Sequence, residues 1–328
     1  MGEEMRQFIL SIAASLVFVS NPIFAEFQSS QEESVVTQSR EADKTQHNHF
    51  EINHTKEVNT ALKAVVPDNI WLTLNHLTSY TNRSATKDTG VEAANWLKAT
   101  FNAMALEYGR TDTETYFVKA GWYKQPSLVT VIGKNIKAPA IIIGAHMDTP
   151  DGRMPGADDG SGSATIMEAA RVLLASKLTF KRPIYIIWYA AGTRNLAGSR
   201  YVVEYFQEKS IPVHAAIQFD MTGYRANPDD PTMWVYTDYT DKNLSRYIAQ
   251  LISTYIHVPV DYSSCGYECS DHASWNEEGI STAFSSESDF EARNPHIHSS
   301  SDTMDFLNLN HMTNFAKLAV ALALELAS

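Results

Sequence analysis

Residues of types that bind metal ions lie between Gly144 and Gly162. His146 precedes Asp148 by two residues, and a carboxylate at that spacing can hold one nitrogen of an imidazole while the other nitrogen binds Zn²⁺. Asp158 follows in a loop of proline, glycine and paired acids, and we interpret it as a second ligand. A His-x-Asp spacing and an Asp-Asp turn are also found on ordinary surfaces. The interpretation therefore depends on ligands elsewhere in the chain.

Two more segments offer such ligands. Asp220 directly follows the apolar run 215–219, which predicts a carboxylate at the carboxyl end of a strand. His298 precedes a run of serines near the end of the chain. Imidazoles and carboxylates together suit Zn²⁺ or a similar borderline metal. Any one of these residues could be structural, but four that converge on one edge of a sheet indicate a metal site.

Apolar runs and helix-like segments alternate along most of the chain. Strands are predicted at 115–120, 127–132, 139–145, 183–189, 215–219 and 233–236, and helices at 68–77, 89–101, 163–175, from about 197, at 241–255 and at 309–326. This alternation is typical of an α/β fold with a mixed, mainly parallel central sheet and helices on both faces. The carboxyl ends of its strands would position the candidate ligands.

The overall composition narrows the class of protein. The chain has 328 residues, 44% hydrophobic and 20% charged, which suits a globular α/β protein. Its net charge of -12 and the lack of a basic stripe argue against a nucleic-acid partner. An acidic surface would weakly attract cationic groups such as peptide amino termini.

The N-terminal region is typical of an exported protein. The apolar run 8–19 followed by Ala25 predicts a signal peptide at 1–25; the alternative is a buried or anchoring helix. Residues 26–60 are polar and without period, which predicts disorder or a removable pro-segment, and 61–328 would form the folded domain. We therefore expect a secreted or periplasmic protein that has no membrane association after the signal is removed.

The chain has only two cysteines, Cys265 and Cys269. In an exported protein, a Cys-x-x-x-Cys pair favours a small disulfide loop over a zinc site, which would need further ligands close by. Two free thiols are the alternative if the chain is not exported.

Several segments together resemble a secreted bacterial leucyl aminopeptidase of the co-catalytic two-zinc exopeptidase family. They lie in the family's order at 81–83, 144–162, 189–191, 196–199, 219–221, 265–275 and 294–303. The resemblance implies a mixed sheet flanked by helices and an activity that removes N-terminal, usually apolar, residues from peptides. We also expect the protein to be a monomer. It also implies that His146, Asp158 and Asp220 hold one zinc, and that Asp158 bridges to a second zinc held in part by His298.

The sequence departs from this family at two positions. Where the family has two consecutive glutamates, this chain has Gly192 and Thr193. The first glutamate would be the general base and the second a ligand of the second zinc. A positioned base contributes roughly 10²- to 10⁴-fold in rate, so hydrolysis is expected to be slow or absent unless another acid, such as Glu287, takes the role.

The substrate side of the resemblance is retained. The resemblance implies that Tyr267 donates to the developing oxyanion. It also implies an apolar pocket walled by Met221, Cys265, Cys269, Phe284 and Phe290. Without the resemblance, the same residues would be interpreted as ordinary core.

Three functions are compatible with these features. The first is a zinc aminopeptidase weakened at positions 192 and 193. The second is a non-catalytic protein that binds peptides or metal. The third is a glutaminyl cyclase, which shares the fold but also requires the two missing glutamates.

Overall fold

One eight-stranded sheet runs through residues 50–328, the part of the chain that the structure, a computed structural model, describes. Its strands are β1 (Thr113–Val118), β2 (Ser127–Ile132), β3 (Ala140–His146), β4 (Ile184–Tyr189), β5 (Val213–Phe219), β6 (Met233–Tyr236), β7 (Val260–Ser263) and β8 (Thr282–Ser286). Their order is β1-β2-β4-β3-β5-β8-β6-β7. The central strands β4, β3, β5 and β8 are parallel, while β1, β2 and β6 each pair antiparallel with a neighbour. The predicted mixed, mainly parallel sheet is confirmed.

Helices cover both faces of the sheet. They are α1 (Thr55–Leu62), α2 (Pro67–Thr78), α3 (Asp88–Glu107), α4 (Ala157–Ala175), α5 (Ala197–Glu208), α6 (Lys242–Leu251), α7 (His272–Asn276) and α8 (Leu309–Ala327). A π-helical turn, Ile252–Ile256, extends α6, and 3₁₀ turns lie at Phe290–Ala292 and Met304–Phe306. Alternate residues of the central strands enter two separate apolar clusters, the smaller of which packs against α5 and α7.

The central strands are apolar along their whole length because both of their faces are covered. Every residue of β3 is buried, and its neighbours β4 and β5 are buried in the same way near their carboxyl ends. Gly162 lets α4 approach this sheet closely, since a Cβ at that position would lie 2.1 Å from the carbonyl oxygen of Phe219. The start of α4 is thereby held beside the end of β5.

The register of the sheet brings the predicted ligands together. β3 is parallel to β5, with Gly144 opposite Gln218, so that His146 and Asp220 come at the same carboxyl edge. On the other side of β3, His146 pairs with Tyr189 at the end of β4. The segment after β4, which carries positions 192 and 193, therefore begins beside His146.

The N-terminal boundary of regular structure differs from the prediction. Residues 55–62 form α1, so the prediction of disorder up to residue 60 is wrong for this segment. The physical reason is a distant carboxylate: Glu325 of α8 accepts hydrogen bonds from the backbone N–H groups of Asn53 and His54, at 2.7 and 3.1 Å, and anchors the helix start. The predicted signal peptide and the rest of the proposed pro-segment, residues 1–49, lie outside the described residues.

Among residues 50–328, no helix combines the length and apolarity that crossing a membrane requires. The strands β7 and β8 were not predicted, because each is short and lies between turn-rich segments.

Candidate metal centre

His146 ends β3 and directs its imidazole at carboxylates from two other elements. Its Nδ1 lies 3.1 Å from the carbonyl oxygen of Asp148. Its Nε2 lies 3.4 Å from Oδ1 of Asp158 and 3.7 Å from Oδ1 of Asp220. A backbone carbonyl at Nδ1 selects the tautomer in which Nε2 is free to bind a metal. Burial opposes the charged ring, but the surrounding carboxylates raise the pKa of His146 above its ordinary value.

Asp158 lies between two imidazoles. Its Oδ1 faces His146, and its Oδ2 is 3.2 Å from Nε2 of His298. Burial acts to raise the pKa of Asp158, yet the two imidazoles hold it below its usual range. Helix α4 does not begin at Ser163 as predicted: it begins at Ala157, and a cis peptide bond joins Asp158 to Asp159 within a non-helical first turn. That turn directs the Asp158 carboxylate toward the sheet edge.

Asp220 has one oxygen that lacks a partner. Its Oδ2 accepts a 2.6 Å hydrogen bond from the Ser270 hydroxyl, while its Oδ1, also buried, has no hydrogen-bond partner among residues 50–328. Burial is the main reason that the pKa of Asp220 rises to about 6, and the nearby Asp158 raises it further.

The distances from His146 to two carboxylates suit a zinc ion. A tetrahedral Zn²⁺ with bonds of about 2.0–2.1 Å holds its ligand atoms roughly 3.4 Å apart. The distances from His146 Nε2 to Oδ1 of Asp158 and of Asp220 are 3.4 and 3.7 Å. A buried carboxylate oxygen without a partner is costly unless a cation or donor satisfies it. His146, Asp158 and Asp220 could therefore hold one ion.

Asp159 also lies at this site, and the sequence analysis did not single it out. One of its carboxylate oxygens comes within 4.8 Å of the donor atoms of His146 and Asp220. Its Oδ1, however, accepts hydrogen bonds from the backbone N–H groups of Gly162 and Met221, at 2.7 and 3.0 Å. Its Oδ2, like Oδ1 of Asp220, is buried without a hydrogen-bond partner among residues 50–328. Asp159 therefore holds the loop through one oxygen and can offer the other to an ion, whereas Asp158 faces both imidazoles. In the sequence, the only sign that Asp159 lies at this site is its position directly after Asp158.

The Asp148 carboxylate contacts the segment after β4 more closely than it contacts His146. It accepts hydrogen bonds from the Gly192 N–H at 2.7 Å, the Thr193 N–H at 3.2 Å and the Thr193 hydroxyl at 2.6 Å. Its own distance to His146 Nδ1 is 3.4 Å, longer than that of its backbone carbonyl. Asp148 was predicted to orient the ring through its carboxylate; the shorter contact is made by the carbonyl.

The Thr193 hydroxyl is thus directed at Asp148. For a second ion, the predicted residues supply Asp158 and His298, the latter with a side chain 55% exposed. Gly192 packs directly on His146, since a Cβ there would lie 2.7 Å from Cβ of that residue. Gly192 and Thr193, the two residues that depart from the family, therefore pack closely against His146 and Asp148.

A cavity of about 500 Å³ opens above the centre. Its lining includes Met221, Cys269, Phe284 and Phe290 from the predicted pocket and the predicted oxyanion donor Tyr267, together with His146, Asp158, Asp220 and His298. Cys265 is not among the lining residues. It forms the predicted disulfide with Cys269, and this pairing is confirmed. Tyr267, 56% exposed, packs edge-on against Phe290, and among the described residues its hydroxyl has no hydrogen-bond partner.

Glu287, the acid suggested as a substitute base, is placed elsewhere. It is buried, its Oε2 accepts hydrogen bonds from the N–H groups of Gly223 and Tyr224, both at 2.7 Å, and it does not line the cavity. Burial raises the pKa of Glu287 to about 8.

Imidazole and carboxylate donors lie together at the carboxyl edge of a mainly parallel sheet, beneath a partly apolar cavity. This arrangement is typical of a metal-dependent hydrolase. The chain belongs to peptidase family M28, whose model matches residues 128–323. It is 33% identical over 292 residues to leucine aminopeptidase 1 of Blastomyces gilchristii, an alignment that covers 84% of this chain and 75% of that protein.

Solved structures of aminopeptidases are similar to this chain in both sequence and fold. The Legionella pneumophila LapA aminopeptidase is 72% identical, with a TM-score of 0.86 over 87% of this chain and 78% of that chain. LapB from the same organism is 48% identical, with a TM-score of 0.83 over 92% and 83%. The Bacteroides thetaiotaomicron glutaminyl cyclase, at 18% identity and a TM-score of 0.64 over 78% and 97%, shares the fold alone. The resemblance to leucyl aminopeptidases is confirmed.

Proposed function

We propose that this protein is an exported, monomeric zinc aminopeptidase that removes apolar N-terminal residues from peptides with low turnover. The observation that carries the proposal is the buried set of His146, Asp158 and Asp220 at the base of a cavity with aromatic walls. When bound there, zinc would supply Lewis-acid polarisation of the peptide carbonyl and of the attacking water.

The residues of the chain itself would position the substrate. Phe284 and Phe290 offer apolar surface to the first side chain, and the free Tyr267 hydroxyl is available to donate to the developing oxyanion. Carboxylates at the base of the cavity would attract the cationic amino terminus. These contacts favour a free N-terminus with an apolar first residue.

Low turnover follows from the segment after β4. Between residues 190 and 196 the chain has no carboxylate, and the Thr193 hydroxyl is bound to Asp148. The same arrangement favours the second candidate, a protein that binds peptide N-termini without hydrolysing them. A glutaminyl cyclase is not favoured by any contact in the site.

An assay on leucyl p-nitroanilide distinguishes the candidates. Zinc-loaded protein should hydrolyse the substrate slowly, and the Asp220→Asn variant should lose both zinc and hydrolysis. Seryl or glutamyl p-nitroanilide serves as the matched substrate control for the apolar pocket. Binding of a leucyl ligand without any hydrolysis at stoichiometric enzyme would refute the aminopeptidase and support the binding protein.

A further inference from the structure

One side chain in the cavity lining carries a permanent positive charge. Of the lining residues, which all belong to the described part of the chain, only Arg293 has a guanidinium or ammonium group. The acidic lining residues are Asp158, Asp220, Glu268 and Asp271. Within residues 50–328, Arg293 forms no ion pair with any of these or with another acid. Its charge is therefore available to a ligand in the cavity.

Two contacts with Phe290 hold the Arg293 guanidinium in place. Its Nη1 donates a 2.7 Å hydrogen bond to the carbonyl oxygen of Phe290, and its Cζ lies 4.3 Å from the centroid of the Phe290 ring. A guanidinium at that distance over a ring is attracted to it. The hydrogen bond uses one of the five N–H donors of the group. The remaining donors can form two parallel hydrogen bonds to a carboxylate.

The backbone on both sides of Arg293 is also anchored. Before it, the Phe290 N–H donates a hydrogen bond to the Ser263 hydroxyl at 3.0 Å. After it, the buried Asn294 accepts a hydrogen bond from the His296 N–H at 3.0 Å through its Oδ1. A guanidinium on an anchored loop loses less conformational entropy when it binds a ligand.

The cavity has carboxylates at its base and Arg293 toward its opening. Asp158 and Asp220 are each 6% exposed, whereas Arg293 is exposed to solvent. One loop joins the two regions, since His298, five residues after Arg293, approaches Asp158 to 3.2 Å. The cavity volume of about 500 Å³ corresponds to a sphere about 10 Å across, and a dipeptide of at most about 7 Å with hydrogen bonds of about 2.8 Å at its two ends has a similar span.

We propose that Arg293 determines which peptides this protein prefers, by binding a carboxylate carried by the second residue of the peptide. This inference rests on the proposed binding of peptide N-termini. The carboxylate is the C-terminal group of a dipeptide or the side chain of an acidic second residue. In both cases the ammonium group of the peptide faces the acids at the base and the carboxylate faces Arg293, so the charges of the peptide are complementary to those of the cavity.

The test compares peptides of matched shape that differ in one charge. Leucyl-leucine against its C-terminal amide tests the terminal carboxylate, and leucyl-glutamate amide against leucyl-glutamine amide tests the side chain. Titration calorimetry on the full-length, zinc-loaded protein measures each Kd without requiring turnover. The wild type should bind the acid of at least one pair about 3- to 10-fold more tightly than its neutral partner. Raising the salt concentration from about 0.1 to 1 M should reduce this difference, because charges are screened over a shorter distance.

Three variants separate a direct contact from other effects. Arg293→Gln should abolish the difference by weakening the binding of the acid alone. Arg293→Lys keeps the charge without the planar fork and should retain part of the difference. Arg246→Gln removes the same charge from an exposed arginine of α6 that does not line the cavity, and it should retain the wild-type difference.

Two results would overturn the assignment: a wild type that binds both acids no more tightly than their neutral partners, or an Arg293→Gln variant that keeps the difference or weakens acid and neutral peptides alike. Hydrolysis of leucyl p-nitroanilide by the same protein would then leave the aminopeptidase intact. Conversely, a preference that depends on Arg293 in a protein that never hydrolyses this substrate would support the assignment and refute the proposed turnover.

Discussion

Substitution of Gly192 by alanine tests how closely the segment after β4 packs on the metal centre. An added Cβ would lie 2.7 Å from Cβ and 2.8 Å from Cγ of His146. Carbon atoms in favourable contact are about 3.5–4.0 Å apart, so the ring or the segment must move by roughly 0.8 Å. The backbone of Gly192 is not left-handed, so the expected effect comes from this overlap and not from φ strain.

Overpacking of this kind costs about 1–3 kcal/mol. The imidazole that would move carries Nε2, 3.4 Å from Asp158 and 3.7 Å from Asp220. If the whole cost opposes metal binding, the affinity for zinc should fall by about 5- to 150-fold, since 1.4 kcal/mol is a factor of ten.

Competition with a chelating zinc indicator measures this affinity. Thr193→Ser is the matched control because it keeps the hydroxyl that donates to Asp148 and adds no atom. The control should bind zinc like the wild type. A Gly192→Ala variant that also binds zinc like the wild type would refute the close packing of this segment on His146.

Three further predictions concern positions 192 and 193 and two buried charged residues, Arg83 and Glu287. Gly192→Glu alone should lower the affinity for zinc through the same overlap with His146. Gly192→Glu combined with Thr193→Glu should raise kcat on leucyl p-nitroanilide by about 10²-fold. A double variant no faster than wild type would contradict the roles of these two positions. Arg83 is fully buried and donates hydrogen bonds to four backbone carbonyls. Arg83→Met should therefore lower the free energy of unfolding, measured in urea, by about 3 kcal/mol or more. A loss below about 1 kcal/mol would contradict this prediction. Because burial raises the pKa of Glu287 from 4.5 to about 8, the folded state keeps a proton that the unfolded state releases. The stability of the zinc-free protein should therefore fall as pH rises from about 5 to 8, and Glu287→Gln should reduce that slope in urea titrations.

Local patterns predicted the central elements well. The bounds of β2 and β6 agree with the predicted 127–132 and 233–236, because compact apolar runs rich in β-branched and aromatic residues are typical of strands wherever they are packed. The same patterns placed His146 and Asp220 at strand ends, and parallel neighbouring strands then bring such residues to one edge. Identification of these two candidate ligands required only residue type and position relative to a strand.

Other features depended on contacts between residues far apart in the chain. Helix α1 has a polar sequence, and its start is anchored by Glu325, about 270 residues away. Strand β8 is short and was missed, although it pairs with β5 in the middle of the sheet. For such segments the stabilising interactions come from distant residues, so local propensity is a weak guide.

The roles of the acids near the metal centre were likewise decided by tertiary structure. The sequence alone determined which carboxylates are present and that positions 192 and 193 lack them. It did not determine that Asp148 holds that segment, that Glu287 faces backbone N–H groups outside the cavity, or that Asp271 lines it. The chemistry open to a carboxylate depends on its burial and on the donors around it, and both arise only when separate strands and loops are brought together.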